Sequence, residues 1–357
     1  MRKIRILVVD DSATIRRIVA EAIVASPDLE LAGTAANGQL ALDRIQDARP
    51  DVLTLDVEMP VLDGISTLKE LRRRAPRLPV LMLSSHTEKG ALATLDALAA
   101  GASDFVAKPR AASLDEARAF VDLDVLPRLR ALGGRATEAA PAPFRSAPAP
   151  ALRRGGARVE AVVVGVSTGG PQALEQVLPR LPRDLPVPVL VVQHMPVMFT
   201  ELLAKRLATL CAVGVEEASD KAPVRPGTVY IARGGRHLAV EGLDARRTLR
   251  LDDGPPENAC KPAADVLFRS AAASYGAGVL AVVLTGMGRD GCAGSEAVRS
   301  AGGSVVIQDQ ETSVVWGMPG AVAAAGLAEA TLPIGGVAAE IAARVERGRL
   351  LGIRCAP

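Results

Sequence analysis

The chain has 357 residues, about two domains at the usual ~150 residues each, and 49% of them are hydrophobic but only 2% aromatic. A core made from Val, Leu, Ile and Ala suits buried parallel strands. Forty-two Lys and Arg nearly balance 40 Asp and Glu, and the resulting charge of +2 gives no electrostatic footprint for nucleic acid or an anionic membrane surface.

The sequence begins MRKIRILVVDD and meets Asp10 and Asp11 too soon for a signal peptide. Apolar runs fall short of the ~18 residues of a membrane helix. In the first half, IRILVV (4–9), DVLTLDV (51–57), PVLMLSS (79–85) and DFVAK (104–108) read as strands, with helices from Ile15, Ala41, Ile65 and Ala91. This alternation predicts a parallel α/β sheet. A last helix is expected from Leu114 to Leu132, disturbed at Pro127. The stretch 133–156, rich in Ala, Pro, Gly and Arg, lacks a hydrophobic period and reads as a semi-extended linker. Buried strands resume with EAVVVGV (160–166), VPVLVVQ (187–193), VLAVVLTG (279–286) and SVVIQD (304–309). A polar region at 213–253 reads as shorter strands, with Pro223 and Pro226 among its turns. The four cysteines, Cys211, Cys260, Cys292 and Cys355, form no CxxC pair and read as free thiols of a reducing cytoplasm.

In the first half, Asp10 and Asp11 follow the first strand and Asp56 ends the third. Ligands of open parallel sheets bind beyond the carboxyl ends of the strands. Three clustered acids need a cation, and their oxygens suit Mg²⁺. Ser84 and Lys108 end the next two strands, where a hydroxyl and an ammonium can hold phosphoryl oxygens on Asp56. Each residue alone reads as an ordinary cap or solvated turn. The ordered set DD, D, S and K-P resembles a response-regulator receiver domain over about 1–125. The resemblance implies a flavodoxin-like doubly wound sheet, with Asp56 as phosphoacceptor and Asp10, Asp11 and Asp56 holding Mg²⁺. It also makes Ser84, Phe105 and Lys108 the switch residues.

In the second half, VGVSTGGP (164–171) sets Ser167 between a buried strand and a helix. The motif fits a nucleophile elbow, a phosphate-binding glycine loop or a serine N-cap. His194 in VVQHMP ends the next strand and projects at the same sheet edge, whereas His237 lies in the polar region and His86 follows a strand of the first half. The base needs an orienting acid. Asp290 in LTGMGRDG is the candidate, with Asp265 and Asp309 as competitors.

The blocks GVSTGG, QHMP, YIARGGRHL, KPAADVLFRSAA, LTGMGRDG and QDQETSVVWGMPGAV, in this order behind a receiver-like half, resemble the chemotaxis protein-glutamate methylesterase (CheB) family over about 159–350. The resemblance implies a Rossmann-like esterase at 159–357, joined to the receiver by a helix end and linker at 126–158. It makes Ser167 the nucleophile, His194 the general base and Asp290 the orienting acid, with the Met287 backbone and Thr168 at the oxyanion. It implies phosphorylation-activated hydrolysis of glutamyl methyl esters on chemoreceptors, and deamidation of receptor glutamines. A chemotaxis histidine kinase would be the phosphodonor. Mg²⁺ would serve the receiver, and the esterase would need no cofactor. Nucleic acid and membrane insertion are not expected. Arg233 stands where the family has Pro, and Cys260-Lys261-Pro262-Ala263-Ala264-Asp265 where it commonly has His-Arg-Pro-Ser-Val-Asp. These departures are expected to bear on receptor docking and substrate preference, with Arg233, Arg236 and Lys261 as either steering cations or solvated surface charges. The rivals are a non-catalytic binding module and a nucleotide-binding output; the latter lacks a P-loop lysine.

Overall fold

The computed structural model describes residues 2–85, 87–109, 113–137 and 158–354. His86, Cys355 and most of the expected linker lie outside the described residues. The chain divides into two compact units, Met1–Arg145 and Ser146–Pro357.

The first unit runs β1 (Ile4–Val9), α1 (Ala13–Ala25), β2 (Leu29–Ala35), α2 (Gly38–Ala48), β3 (Val52–Asp56), α3 (Gly64–Arg74), β4 (Val80–Ser84), α4 (Glu88–Ala99), β5 (Asp104–Ala107), α5 (Leu114–Phe120) and α6 (Leu126–Thr137). Its five strands are parallel, in the order β2-β1-β3-β4-β5. β3 and β4 are buried along their whole length, as strands covered on both faces must be. β2 sits at the edge with mostly half-buried residues, which is why LELAGTA carries no long apolar run. The order reverses between β1 and β3, so the ends of these two strands frame the crevice.

The last helix of this unit is disturbed one turn earlier than Pro127 suggested. A π-helical segment, Val121–Val125, separates α5 from α6, and the Leu126 N–H reaches back to the Val121 carbonyl. Pro127 has no N–H to give the Leu123 carbonyl, so it falls in the first turn of the new helix. α6 then continues through Gly133 to Thr137, into the region expected to be linker. A Cβ on Gly133 would lie 2.2 Å from Ile4 Cγ2, so glycine there lets α6 pack directly on β1.

The second unit runs β6 (Ala161–Val166), α7 (Gly170–Val177), β7 (Val189–Gln193), α8 (Val197–Leu210), β8 (Gly214–Glu217), β9 (Thr228–Ile231), β10 (His237–Glu241), β11 (Thr248–Asp252), α9 (Ala264–Tyr275), β12 (Val279–Val283), α10 (Cys292–Ser300), β13 (Ser304–Gln308), α11 (Met318–Ala324), β14 (Ala330–Leu332) and α12 (Ile334–Arg354). Seven parallel strands lie in the order β14-β13-β12-β6-β7-β9-β8. The polar region supplies two of them and the antiparallel hairpin β10–β11. Leu238, Val240, Leu249 and Leu251 of the hairpin share a buried core with Phe268 of α9 and Val163 of β6. Both units are therefore doubly wound α/β sheets. In the second, the order reverses between β12 and β6, with β7 beside β6.

Phe268 is fully buried where α9 meets the sheet. Phe268→Ala should cost about 3–5 kcal/mol by removing ring contacts and leaving a cavity. Trp316, the sole tryptophan, lies in the second unit and reports its unfolding. Denaturant titration followed by Trp316 fluorescence should show a clearly lowered midpoint; an unchanged midpoint would refute this packing role.

Candidate active site and phosphoacceptor pocket

Three loops meet at the crevice of the second sheet. Ser167 follows β6, His194 follows β7, and Asp290 lies in the loop after β12. Backbone bonds tie these loops together. Ser167 N–H donates to the Thr285 carbonyl at 3.0 Å, and His194 N–H donates to the Val166 carbonyl at 3.1 Å. Gln193, the last residue of β7, adds a side-chain staple. Its Nε2 donates to the Ser167 carbonyl at 3.1 Å and to the His194 carbonyl at 3.2 Å.

Asp290 is 1% exposed, and a carboxylate so buried must be paired or bonded. It receives backbone N–H groups from Ala264 at 2.6 Å, Asp265 at 3.0 Å and Gly291 at 3.0 Å. The first two open α9, so the positive end of that helix faces the carboxylate. Asn258 Nδ2 donates to Asp290 Oδ1 at 3.1 Å and to Asp265 Oδ2 at 2.8 Å, bridging two buried acids. The remaining partner of Asp290 is His194, with Nε2 2.7 Å from Oδ2. An ionised carboxylate only accepts, so Nε2 carries the proton and Nδ1 keeps the lone pair in the neutral ring. Nδ1 faces Cys260 Sγ at 3.5 Å.

The electrostatics follow from these contacts. Burial opposes the imidazolium, but the hydrogen bonds to Asp290 and Cys260 outweigh it and push the His194 pKa up to about 9. Burial likewise opposes the Asp290 charge, yet His194 and the N–H groups of Ala264 and Asp265 hold its carboxyl below the usual range. Asp265 is shifted the other way, by burial and by the Asp290 charge.

The competing candidates have other duties. Asp265 accepts the Gly294 N–H and the Asn258 amide, and Asp309 accepts the Thr312 N–H at 2.9 Å, closing a turn. His237 accepts the Ala263 N–H at 3.1 Å and donates to the Pro255 carbonyl at 3.0 Å, pinning the loop between them. Ser167 shares the edge with His194, but no hydrogen bond joins their side chains among the described residues. Such contacts often close only around substrate. A Cβ on Gly286 would lie 2.8 Å from Ser167 Cβ, so the chain leading to Met287 passes directly beside the serine. The Met287 N–H meets no backbone carbonyl among the described residues. Thr168 is buried, and its carbonyl accepts the Thr285 hydroxyl at 2.9 Å.

The expected steering cations divide. Arg233 is exposed. Arg236 pairs with Asp253 at 2.8 Å, and Lys261 Nζ reaches the Gly254 carbonyl at 3.2 Å, so both are engaged in fastening the 253–254 loop. Gln193 and Asn258 were missed from sequence, although one adjoins His194 and the other lies two residues before Cys260.

In the first unit, carboxylate oxygens of Asp10, Asp11 and Asp56 lie within 4.8 Å of one another. Lys108 Nζ sits 2.8 Å from Asp10 Oδ2 and 2.8 Å from Asp56 Oδ2. Burial raises the Asp56 pKa to about 6; Lys108 opposes the rise, while Asp10 and Asp11 add to it. One ammonium against three acids leaves an all-oxygen donor set with negative charge to spare, which fits Mg²⁺. Ser84 is brought to the pocket by β4, but its hydroxyl turns to α4, donating to the Gly90 carbonyl at 3.2 Å and meeting Thr94. Phe105 is buried on β5.

Comparison with known proteins identifies both units by family. Residues 162–341 match the family model for the CheB methylesterase domain, and 6–118 match that for the response regulator receiver domain. A protein-glutamate methylesterase/protein-glutamine glutaminase of Nocardioides sp. is 49% identical over 98% of this chain and 97% of its own. The chain belongs to the CheB methylesterase family. A relative from Trichodesmium erythraeum with the same description is 44% identical over 97% of this chain and all of its own. The solved CheB methylesterase catalytic domain of Thermotoga maritima is 41% identical, with a TM-score of 0.51 over 52% of this chain and 98% of that one. The family's receiver and esterase domains are thus both present. No helix among the described residues is long and apolar enough to cross a membrane.

Asp290→Asn keeps the shape of the acid but removes the charge that favours the His194 imidazolium. The His194 ring, followed by NMR, should then titrate roughly a pH unit or more lower than in the wild-type protein. An unchanged titration would contradict the electrostatic role of Asp290.

Proposed function

We propose that the second unit hydrolyses glutamyl methyl esters on chemoreceptors, and deamidates receptor glutamines, by a Ser-His-Asp acyl-enzyme mechanism. The observation that carries this reading is the His194 ring fixed by Asp290 on Nε2, which leaves Nδ1, beside the Cys260 sulfur, as the nitrogen able to take a proton at the edge that Ser167 shares. His194 takes the Ser167 proton through Nδ1 as Oγ attacks the ester carbonyl. The Met287 N–H, with Thr168 beside the serine, stabilises the oxyanion, at about 3–4 kcal/mol for a well-aimed donor. Collapse of the tetrahedral intermediate expels methoxide, which leaves as methanol with the proton from His194. From a glutamine, ammonia leaves instead. Water, deprotonated by His194, then frees the glutamate and restores Ser167. No cofactor enters this cycle.

Because the imidazolium is favoured up to a pH of about 9, the neutral base is the minor form at pH 7. The acylation rate should climb with pH through that range. Ser167→Ala should lower methanol release from methylated receptor by ~10³-fold or more while the protein stays folded. Release near the wild-type rate would overturn the assignment.

The first unit is proposed to be the control element, with Asp56 accepting a phosphoryl group from a chemotaxis histidine kinase. Asp10, Asp11 and Asp56 would hold Mg²⁺, which when bound neutralises charge between the carboxylates and the incoming phosphoryl group. Lys108, already at Asp56, would pair with a phosphoryl oxygen. Rotation of Ser84 away from Gly90 and repacking of Phe105 would carry the change to the surface. Phosphorylation then activates the esterase. With a small phosphodonor and Mg²⁺, methanol release by the full chain should rise several-fold. Chelator or Asp56→Asn should each abolish the rise. Activation that survives chelation would exclude this pocket as the control point.

A further inference from the structure

Cys260 stands where the resemblance led to an expectation about receptor docking, yet its sulfur lies 3.5 Å from His194 Nδ1. Nδ1 is the nitrogen that Asp290 leaves free. In the neutral ring it can only accept, so the thiol donates to it; in the imidazolium, the form favoured below about pH 9, Nδ1–H donates to the sulfur instead. The position is enforced by a tight turn. Glu257 N–H donates to the Cys260 carbonyl at 3.0 Å, and Cys260 N–H returns to the Glu257 carbonyl at 2.8 Å. Within that turn Asn258 is bonded to Asp265 and Asp290, and Glu257 pairs with Arg269 at 2.7 Å. The turn that anchors the orienting acid thus also sets the thiol on the base.

The other described cysteines are placed differently. Burial pushes the Cys211 thiol up to about 11. Cys292 is buried at the start of α10, where burial also raises its thiol, and it donates to the Ala321 carbonyl at 3.6 Å. Cys260 is half-buried and has an imidazole within reach of its proton. Thiolate character and access together set cysteine reactivity.

We propose that Cys260 is a modification site for hydroperoxides and soft electrophiles, activated by His194, and that its modification shuts off the esterase. The inference rests on His194 being the base of the proposed mechanism. With a hydroperoxide, and from the neutral ring, the thiol proton passes to Nδ1 and the sulfur attacks the peroxide oxygen. The S–O bond forms, the O–O bond breaks, and the departing hydroxide or alkoxide takes the proton, leaving a sulfenic acid and water or alcohol. With iodoacetamide, the thiol proton likewise passes to Nδ1, a C–S bond replaces the C–I bond, iodide leaves, and the proton is then lost to solvent. Either product puts added bulk on the nitrogen that Ser167 must reach. The sulfur also acts as a positioning residue, holding the ring at the nitrogen not bound to Asp290.

The test treats the full chain with iodoacetamide, maps labelled cysteines by peptide mass spectrometry, and measures residual methanol release in parallel. Cys260 should be alkylated about tenfold or more faster than Cys211 and Cys292, with activity falling in step. His194→Gln should slow Cys260 labelling several-fold, a readout that needs no esterase activity. Cys260→Ser and Cys260→Ala, whatever their starting rates, should lose none of that rate to the reagent. Labelling of Cys260 no faster than the other two, equal labelling in His194→Gln, or continued inactivation of both Cys260 variants would overturn the proposal. If Ser167→Ala still releases methanol, the mechanism fails by itself; fast, His194-dependent labelling would still support the thiol pairing.

Discussion

The second unit depends on one buried charge. Asp290 is an anion almost without water, and nearly everything around the crevice answers that cost. The first turn of α9 supplies N–H groups, Asn258 supplies an amide, and His194 supplies the remaining partner. The consequence is mutual. The carboxylate fixes the tautomer and plane of the ring, and the ring's affinity for a proton helps keep the carboxylate ionised. Since α9 packs on β6 through the core around Phe268, the strand that delivers Ser167 and the helix that stabilises Asp290 are held against one core.

The first unit solves a different electrostatic problem at the same place in a similar sheet. Asp10, Asp11 and Asp56 are gathered where strand order reverses, with Lys108 as the resident counter-charge. Instead of neutralising an acid fully, the pocket leaves negative charge unmatched. That is the state a bound cation and a phosphoryl group can complete. The crevice of one sheet thus stores uncompensated charge, while the other balances it around a base.

Much of this was legible in the sequence because strand-end residues announce themselves. Asp10, Asp56, Ser167 and His194 each follow a run of buried apolar residues, and parallel topology sends all such ends to one edge. What stayed hidden came from shape rather than pattern. β2 is an edge strand with little apolar periodicity, and α6 runs through Gly133 because close packing on β1 requires a missing side chain. The choice of Asp290 over Asp265 depends on a ring contact between residues 96 positions apart, beyond the reach of any local signal. Cys260 shows the same limit, since its departure from the family pattern was visible but its place against His194 was not.

In the proposed mechanism the Asp290–His194 pair makes Ser167 a nucleophile. The most direct measurement is covalent labelling of the full chain by a fluorophosphonate, with the adduct located by mass spectrometry. A phosphonyl adduct should form on Ser167 in the wild-type protein, strongly slowed in His194→Ala and weakened in Asp290→Asn. A wild-type protein that stays unlabelled at Ser167, or a His194→Ala protein labelled at the wild-type rate, would contradict it.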